Sequence, residues 1–148
     1  MPMSDRPPDL LAQARDMVTR LRCLPGIDVD AGLAFVGHSV DVYVRLLARF
    51  VQLHEADVHE LVSLAERAED SALQKLAHSI KGGAATLGVT GMASLAQQLE
   101  QETRQGGARE RIVELAKAMA TGHAALKSHL AQGSAAEPPA QGRKAVTR

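Results

Sequence analysis

Apolar residues recur at helical spacing through most of this chain, and only short turn segments interrupt them. The chain has 148 residues, enough for one domain with extensions. Strand patterns are weak throughout, and helices joined by loops of a few residues fold back as antiparallel neighbours. The sequence therefore predicts an all-α fold, an antiparallel up-down-up-down four-helix bundle, with members within residues 39–68, 70–88, 90–105 and 108–130.

The first bundle helix is predicted to start at Ser39 or Asp41 and to end near Ala68. Because this stretch contains neither Gly nor Pro, we expect one helix, and two helices in tandem are the alternative. Expected capping and turn residues bound the other helices. They are Asp70 or Ser71, Gly88, Thr90 and Gly106–Gly107.

Residues 1–23 are predicted to be an N-terminal extension that is helical in part, from Asp9 to Arg22. This helix is either an addition to the bundle or the remnant of a linker. A short helix capped by Asp30 is expected to reach about Val36. The bundle is assigned to residues 24–131, and residues 132–148 are expected to form a disordered tail because they are rich in Gly, Ser, Ala and Pro.

Composition excludes several classes of function. Lys plus Arg and Asp plus Glu each number 17, so no net charge attracts the chain to nucleic acid or to a membrane surface. Aromatic residues make up 2%, which is poor for stacking on bases. The single Cys23 excludes an internal disulfide framework and fits a reducing compartment. Since no apolar run is long enough for a membrane span or a secretory signal, we expect a cytoplasmic protein.

The second bundle helix has an unusual outward face. His78 lies about 100° round the cylinder from the apolar stripe at Ala77, so it is expected to face solvent. Lys81 and Gly82 follow at i+3 and i+4 on the same face. Gly82 and Gly83 together cost this helix roughly 2 kcal/mol relative to alanine. We infer that they clear the surface for a bulky partner that must reach the imidazole.

The side chains on this face suit the transfer of a phosphoryl group. A free imidazole is mostly neutral at pH 7 and keeps a nitrogen lone pair, so it can be a nucleophile without a base beside it. A phosphoryl group on His78 is an anion, and Lys81 supplies a positive charge for its oxygens one turn along. The alternative is that His78 is only a solvated surface residue, as exposed histidines usually are.

This part of the chain resembles the histidine phosphotransfer (HPt) domain family. The resemblance is carried by His-x-x-Lys-Gly at 78–82 followed by small residues, Leu-Gly at 87–88, and a helix that ends in Leu-Glu at 99–100. The run 24–50 is similar to the opening of those domains, so that the resemblance covers roughly residues 24–130.

The resemblance implies a phosphorelay intermediate. His78 accepts a phosphoryl group from a receiver-domain aspartate and passes it to another response-regulator receiver, Lys81 stabilises it, and Gly82 allows close approach. The expected partners are receiver domains or a hybrid sensor histidine kinase. The receiver brings the Mg²⁺, so the chain is expected to have no cofactor of its own. Because the sequence has no Gly-rich nucleotide loop and no room for an ATP-binding domain, no kinase or ATPase activity is expected. We also expect a monomer.

Glu100 is a further candidate in the same site. On an antiparallel neighbour, the end of the third bundle helix returns beside the His78 helix, so the Glu100 carboxylate is expected to accept a hydrogen bond from His78 Nδ1–H. Many members of the resembled family carry Gln or Glu in that role. A plain surface carboxylate is the alternative.

Two other classes of function stay open beside the phosphorelay. One is a receiver-binding adaptor or inhibitory module without phosphotransfer, and the other is a metal-binding bundle enzyme. The sequence disfavours metal, because His54 and His59 are five residues apart where a zincin helix needs four, and no Glu-x-x-His pair of a di-iron bundle occurs. The remaining histidines are expected at the surface or its boundary: His38, His123 and His129.

Overall fold

The computed structural model describes residues 8–135. These residues form seven helices and no strand, which confirms the predicted all-α bundle. The helices are α1 (Pro8–Leu21), α2 (Val29–Phe35), α3 (Val40–Leu53), α4 (Glu55–Glu66), α5 (Asp70–Thr86), α6 (Thr90–Arg104) and α7 (Arg109–Ala135). No single helix among them is long and apolar enough to cross a membrane, and the one pair that qualifies when joined, α2 with α3, bends by 104° at its break.

The core lies inside a closed ring of four helices. α4 packs on α5, α5 on α6, α6 on α7, and α7 on α4, while α3 leads into α4 and also packs on α7. Each member contributes fully buried side chains at helical spacing, and each large one stabilises the fold by about 1.5–3 kcal/mol. Among them are Leu47, Leu61, Leu73, Ile80, Leu99, Ile112, Met119 and Leu126.

The prediction of one long first helix is wrong, because His54 separates α3 from α4. His54 has φ −103° and ψ 12°, outside the usual helical values. Its buried ring packs edge-on against Phe50, and its Nδ1 lies 2.8 Å from Asp57 Oδ2. Buried side-chain contacts therefore hold the break, and neither Gly nor Pro is needed.

His123 explains how a carbonyl at this break is satisfied. The last carbonyls of a helix lack some of their intrahelical partners. His123 Nε2 lies 2.8 Å from the oxygen of Val51, near the end of α3, and donates a hydrogen bond to it. The expectation that His123 lies at the surface or its boundary is thus wrong, since it is 2% exposed. His38 is exposed and His129 is half-buried, as expected.

The N-terminal helix α1 is part of the packed structure. It packs on α3 and α7, and Met17, Val18 and Leu21 join the common core. Leu10, near the start of the same helix, is 53% exposed. The domain boundary at residue 24 stays a prediction, although α1 shares the core of the bundle.

Helix α2 covers the end of α5. Its N-cap is Asp28 and not the predicted Asp30, since Asp28 Oδ1 accepts from the backbone N–H of Ala31 at 3.1 Å. Tyr43, at the start of α3, donates to the oxygen of Leu87 at 2.9 Å, and burial raises the pKa of its hydroxyl to about 12. These contacts fix the C-terminal end of α5 against α2 and α3.

Three other predicted ends differ from the structure. Glu69 is the N-cap of α5, and Asp70 is its first residue, where its carboxylate pairs with both terminal nitrogens of Arg109 at 3.0 and 3.2 Å. Thr90 does not cap α6, because its hydroxyl donates to the oxygen of Gly26 at 3.2 Å. Helix α7 continues to Ala135, so the start of the predicted tail is helical, and the rest of that tail lies outside the described residues.

Candidate functional site

His78 projects into water from the middle of α5. The opposite face of α5 is buried in the core, through Leu73, Ala77, Ile80 and Ala84. The helical period therefore turns His78 outward, and its side chain is 71% exposed. No part of the described chain walls off the imidazole.

The structure brings Glu100 of α6 to the His78 ring. α5 and α6 are antiparallel neighbours, and Glu100 Oε2 lies 3.1 Å from His78 Nδ1. A carboxylate accepts and does not donate, so the contact assigns the proton to Nδ1. In the neutral ring, Nε2 then keeps its lone pair and faces the solvent.

Lys81 lies in the same cluster but in an unexpected position. Its Nζ is 2.7 Å from Glu100 Oε1, so the ammonium pairs with the carboxylate in this state. The Lys81 side chain is 26% exposed, whereas that of Glu100 is 8% exposed. One buried carboxylate thus links the imidazole and the ammonium.

Arg104 belongs to this cluster and was missed in the sequence. It follows Glu100 by one turn of α6, and its Nη2 lies 3.6 Å from Glu100 Oε2. The signal was available, because residues four apart on a helix are neighbours. Glu100 therefore has three cationic or potentially cationic partners, and the exposed guanidinium adds positive potential beside His78.

Glu100 is held in its ionised form. Burial disfavours the charge, but hydrogen bonds from Lys81 and His78, together with their charges, outweigh it and hold the pKa of this carboxyl below its usual value of 4.5. At neutral pH the carboxylate is therefore available to accept from Nδ1–H. This supports the sequence-based idea that Glu100 orients the ring, which stays a prediction about its role.

Gly82 and Gly83 face different surroundings, which corrects the view that both clear the surface. A Cβ added to Gly82 has nothing within 4 Å, so no contact within the fold requires glycine there. A Cβ added to Gly83 lies 3.3 Å from two ring atoms of Phe50 and 3.9 Å from His54 Nε2. Gly83 lets α5 pack closely on the junction of α3 and α4, and Gly82 alone leaves the surface beside His78 open.

The described residues offer no comparable arrangement for a metal ion. Between residues 8 and 135, no group of three or more His, Cys, Asp or Glu side chains is placed to hold one. His54 is buried against Asp57, and His59 is exposed on α4. The chemistry that the geometry supports is that of a solvent-facing nucleophilic nitrogen with cations beside it.

Comparison with known proteins agrees with this site. A family model described as "Hpt domain" matches residues 45–135, which is more than half of the chain. The chain belongs to the Hpt domain family. The match includes His78, Lys81, Gly82, Glu100 and Arg104. No curated protein and no solved structure was found to match the chain.

Membership in this family gives the general function. Hpt domains are phosphocarrier modules that take part in histidine phosphotransfer in two-component signalling, and they interact with receiver domains and histidine kinases. The helical bundle described above is the fold expected of such a module.

Proposed function

We propose that His78 is the phosphoacceptor, and that the chain takes a phosphoryl group from a receiver aspartate and passes it to a second response-regulator receiver. The observation that carries this proposal is the exposed Nε2, opposite an Nδ1 that Glu100 engages, next to the open surface at Gly82. No other described histidine combines that exposure with a buried carboxylate at 3.1 Å.

The transfer is an in-line displacement at phosphorus. The Nε2 lone pair of His78 forms the N–P bond while the bond between phosphorus and the aspartyl oxygen breaks, and the carboxylate leaves with the electron pair. The Nδ1 proton stays on the ring and keeps its hydrogen bond to the Glu100 carboxylate. This hydrogen bond stabilises the positive charge that develops on the ring. The reverse displacement, by the aspartate of a second receiver, returns the ring to its starting state.

Lys81 changes partner during this cycle. Before transfer, its ammonium pairs with Glu100 Oε1. The phosphoryl oxygens carry more charge and lie on the solvent side, so Lys81 turns toward them, and Arg104 stays within 3.6 Å of Glu100 to compensate. Each exposed contact is worth about 1 kcal/mol or less, which orients the phosphoryl group without trapping it.

The partner supplies the rest of the chemistry. In this proposal the receiver domain supplies Mg²⁺ and an acidic pocket. This chain has no kinase or ATPase activity and acts as a cytoplasmic monomer. Positioning and charge neutralisation by the receiver then account for most of the rate.

The test is transfer of acid-labile label from a phosphorylated receiver to the full chain. We expect wild-type protein to become labelled, His78→Gln to remain unlabelled, and His59→Gln, the matched change at an exposed histidine of α4, to behave like wild type. Labelling of His78→Gln at the wild-type rate refutes the assignment. A wild-type chain that binds the receiver and blocks its output without taking label is instead an inhibitory adaptor.

A further inference from the structure

Leu53 is a large apolar side chain that the fold leaves in water. Among the described residues, the exposed large hydrophobic side chains are Leu10, Phe35 and Leu53, and Leu53 is 62% exposed. It is the last residue of α3, directly before the break at His54. The contacts with Gly83 of α5 at this end of α3 come from Phe50 and His54, so most of the Leu53 side chain is left outside the core.

The neighbours of Leu53 place it beside α5. Phe50 and His54 both face Gly83 of α5. Leu53 follows Phe50 by three residues and therefore lies on the same side of α3. Val51, which is two residues earlier and about 200° away round the helix, is buried, so Leu53 points away from the core. Leu53 thus flanks the side of α5 that carries the open glycine.

The distance along α5 from His78 to Gly83, the residue that meets the junction beside Leu53, fits within one docking footprint. His78 and Gly83 are five residues apart on α5, which is about 7.5 Å along the axis. A typical protein interface covers about 800 Å² on each partner, a disc of about 16 Å radius. A protein centred on His78 therefore also covers Gly82 and the exposed Ala85, and it extends to Gly83, which meets the junction of α3 and α4 that carries Leu53.

We propose that Leu53 is an apolar anchor for the docked receiver domain, and that the receiver packs on Leu53 and Gly82 while its aspartate reaches His78. This inference rests on the proposed function, because the need to reach Nε2 is what brings a receiver over this surface. Gly82 puts no side chain between His78 and the junction of α3 and α4, where Phe50 and His54 meet Gly83. We therefore expect a receiver that reaches His78 to meet Leu53, which lies at that junction, as well.

The experiment compares Leu53→Ser with Leu10→Ser in the full chain. Both changes remove an exposed leucine, but Leu10 lies on α1, which packs mainly on α3 and α7. Two phosphodonors separate docking from chemistry. One is phosphoramidate, a small donor that gives its phosphoryl group to an imidazole and releases ammonia. The other is the phosphorylated receiver, taken from those of the same genome, that labels the wild-type chain fastest.

We expect Leu53→Ser to lower kcat/KM for transfer from the receiver about tenfold, the equivalent of 1.4 kcal/mol, and to leave labelling by phosphoramidate unchanged. Leu10→Ser should match wild type with both donors. If Leu53→Ser also matches wild type with the receiver, or if only Phe35→Ser slows transfer, the inference is wrong while the proposed function stands. Concentration-dependent self-association that Leu53→Ser abolishes, without a change in transfer, assigns Leu53 to a second copy instead.

Failure of the proposed function gives a different result. In that case wild-type protein takes no label at His78 from phosphoramidate or from any receiver, and the inference falls with it.

Discussion

Gly82 and Gly83 are consecutive residues of one helix, yet they meet opposite surroundings. Gly83 faces inward to Phe50 and His54, where a Cβ has ring atoms at 3.3 Å. Gly82 faces outward beside His78 and Lys81, where a Cβ meets nothing within 4 Å. Packing accounts for the first glycine and leaves the second unexplained by the fold. The difference teaches that packing within the fold determines one side of α5 and leaves the other open, which is the side that the proposed function assigns to a docked receiver.

The largest expected effect comes from putting the same bulky residue at each glycine. Gly82→Leu should slow receiver-dependent transfer about a hundredfold, because small misplacement of reacting groups costs that much. It should not lower the free energy of unfolding, since leucine favours a helix over glycine by about 0.8 kcal/mol. Gly83→Leu should instead destabilise the fold by about 1–3 kcal/mol through overpacking against Phe50.

Denaturant unfolding and receiver-to-His78 transfer, measured on both variants, check this contrast. Equal losses of stability in the two variants, or normal transfer by Gly82→Leu, contradict the division of α5 into two faces.

The next effect concerns the ammonium on the outward face. Lys81→Ala should shorten the lifetime of the phosphohistidine or slow its formation by about fivefold, since a contact at this partly exposed site is worth about 1 kcal/mol. The measurement is the decay and formation of acid-labile label. Lys117→Ala, at an exposed position of α7, is the control, and an identical decay in both variants removes the role given to Lys81.

The free energy of unfolding should depend on the ionisation of Glu100 at acidic pH. Because its folded pKa lies below the usual 4.5, its ionised form stabilises the fold above that pH, and this contribution is lost as pH falls through and below 4.5. The difference in unfolding free energy between wild type and Glu100→Gln should therefore be constant above about pH 5.5 and shift against wild type in more acidic buffer. Thermal unfolding from pH 7 to 3 tests this, and parallel curves throughout contradict it.

Arg104 should give the smallest effect. Its guanidinium is 61% exposed and 3.6 Å from Glu100, and exposed pairs contribute about 0.2–1 kcal/mol. Arg104→Ala should therefore change the phosphohistidine lifetime by about fivefold at most, and added salt should reduce even that. Arg111→Ala on α7 serves as the comparison. A loss larger than that of Lys81→Ala means that Arg104, and not Lys81, is the main cation at His78.

The outward face could be predicted from sequence because it depends on one helical period. Ala77, Ile80 and Ala84 mark the buried stripe, so the direction of His78 and Lys81 follows from 100° per residue. The approach of Glu100 follows from the antiparallel return of α6. The roles of these residues were suggested by resemblance to a family and remain proposals, whereas their placement is a property of the helices.

The inward contacts could not be predicted, because they depend on residues distant in sequence. The helical period of α5 shows that Gly83 does not lie on the outward face with His78. It does not identify Phe50 as the neighbour of Gly83. Nothing before His54 or after it signals a break, since the break depends on Asp57 and on His123, whose Nε2 reaches Val51 from α7. Thr90 is a residue type that is common at N-caps, but its hydroxyl donates a hydrogen bond to the oxygen of Gly26 instead.

The empty space beside Gly82 also bears on how this sequence can change over time. Alanine at that position strengthens the helix by about 1 kcal/mol and clashes with nothing inside the molecule. A library of variants selected only for soluble expression should therefore enrich alanine there, and a library selected for signal output should deplete it. The preference of the helix therefore favours alanine at position 82, whereas the proposed docking of a receiver favours glycine.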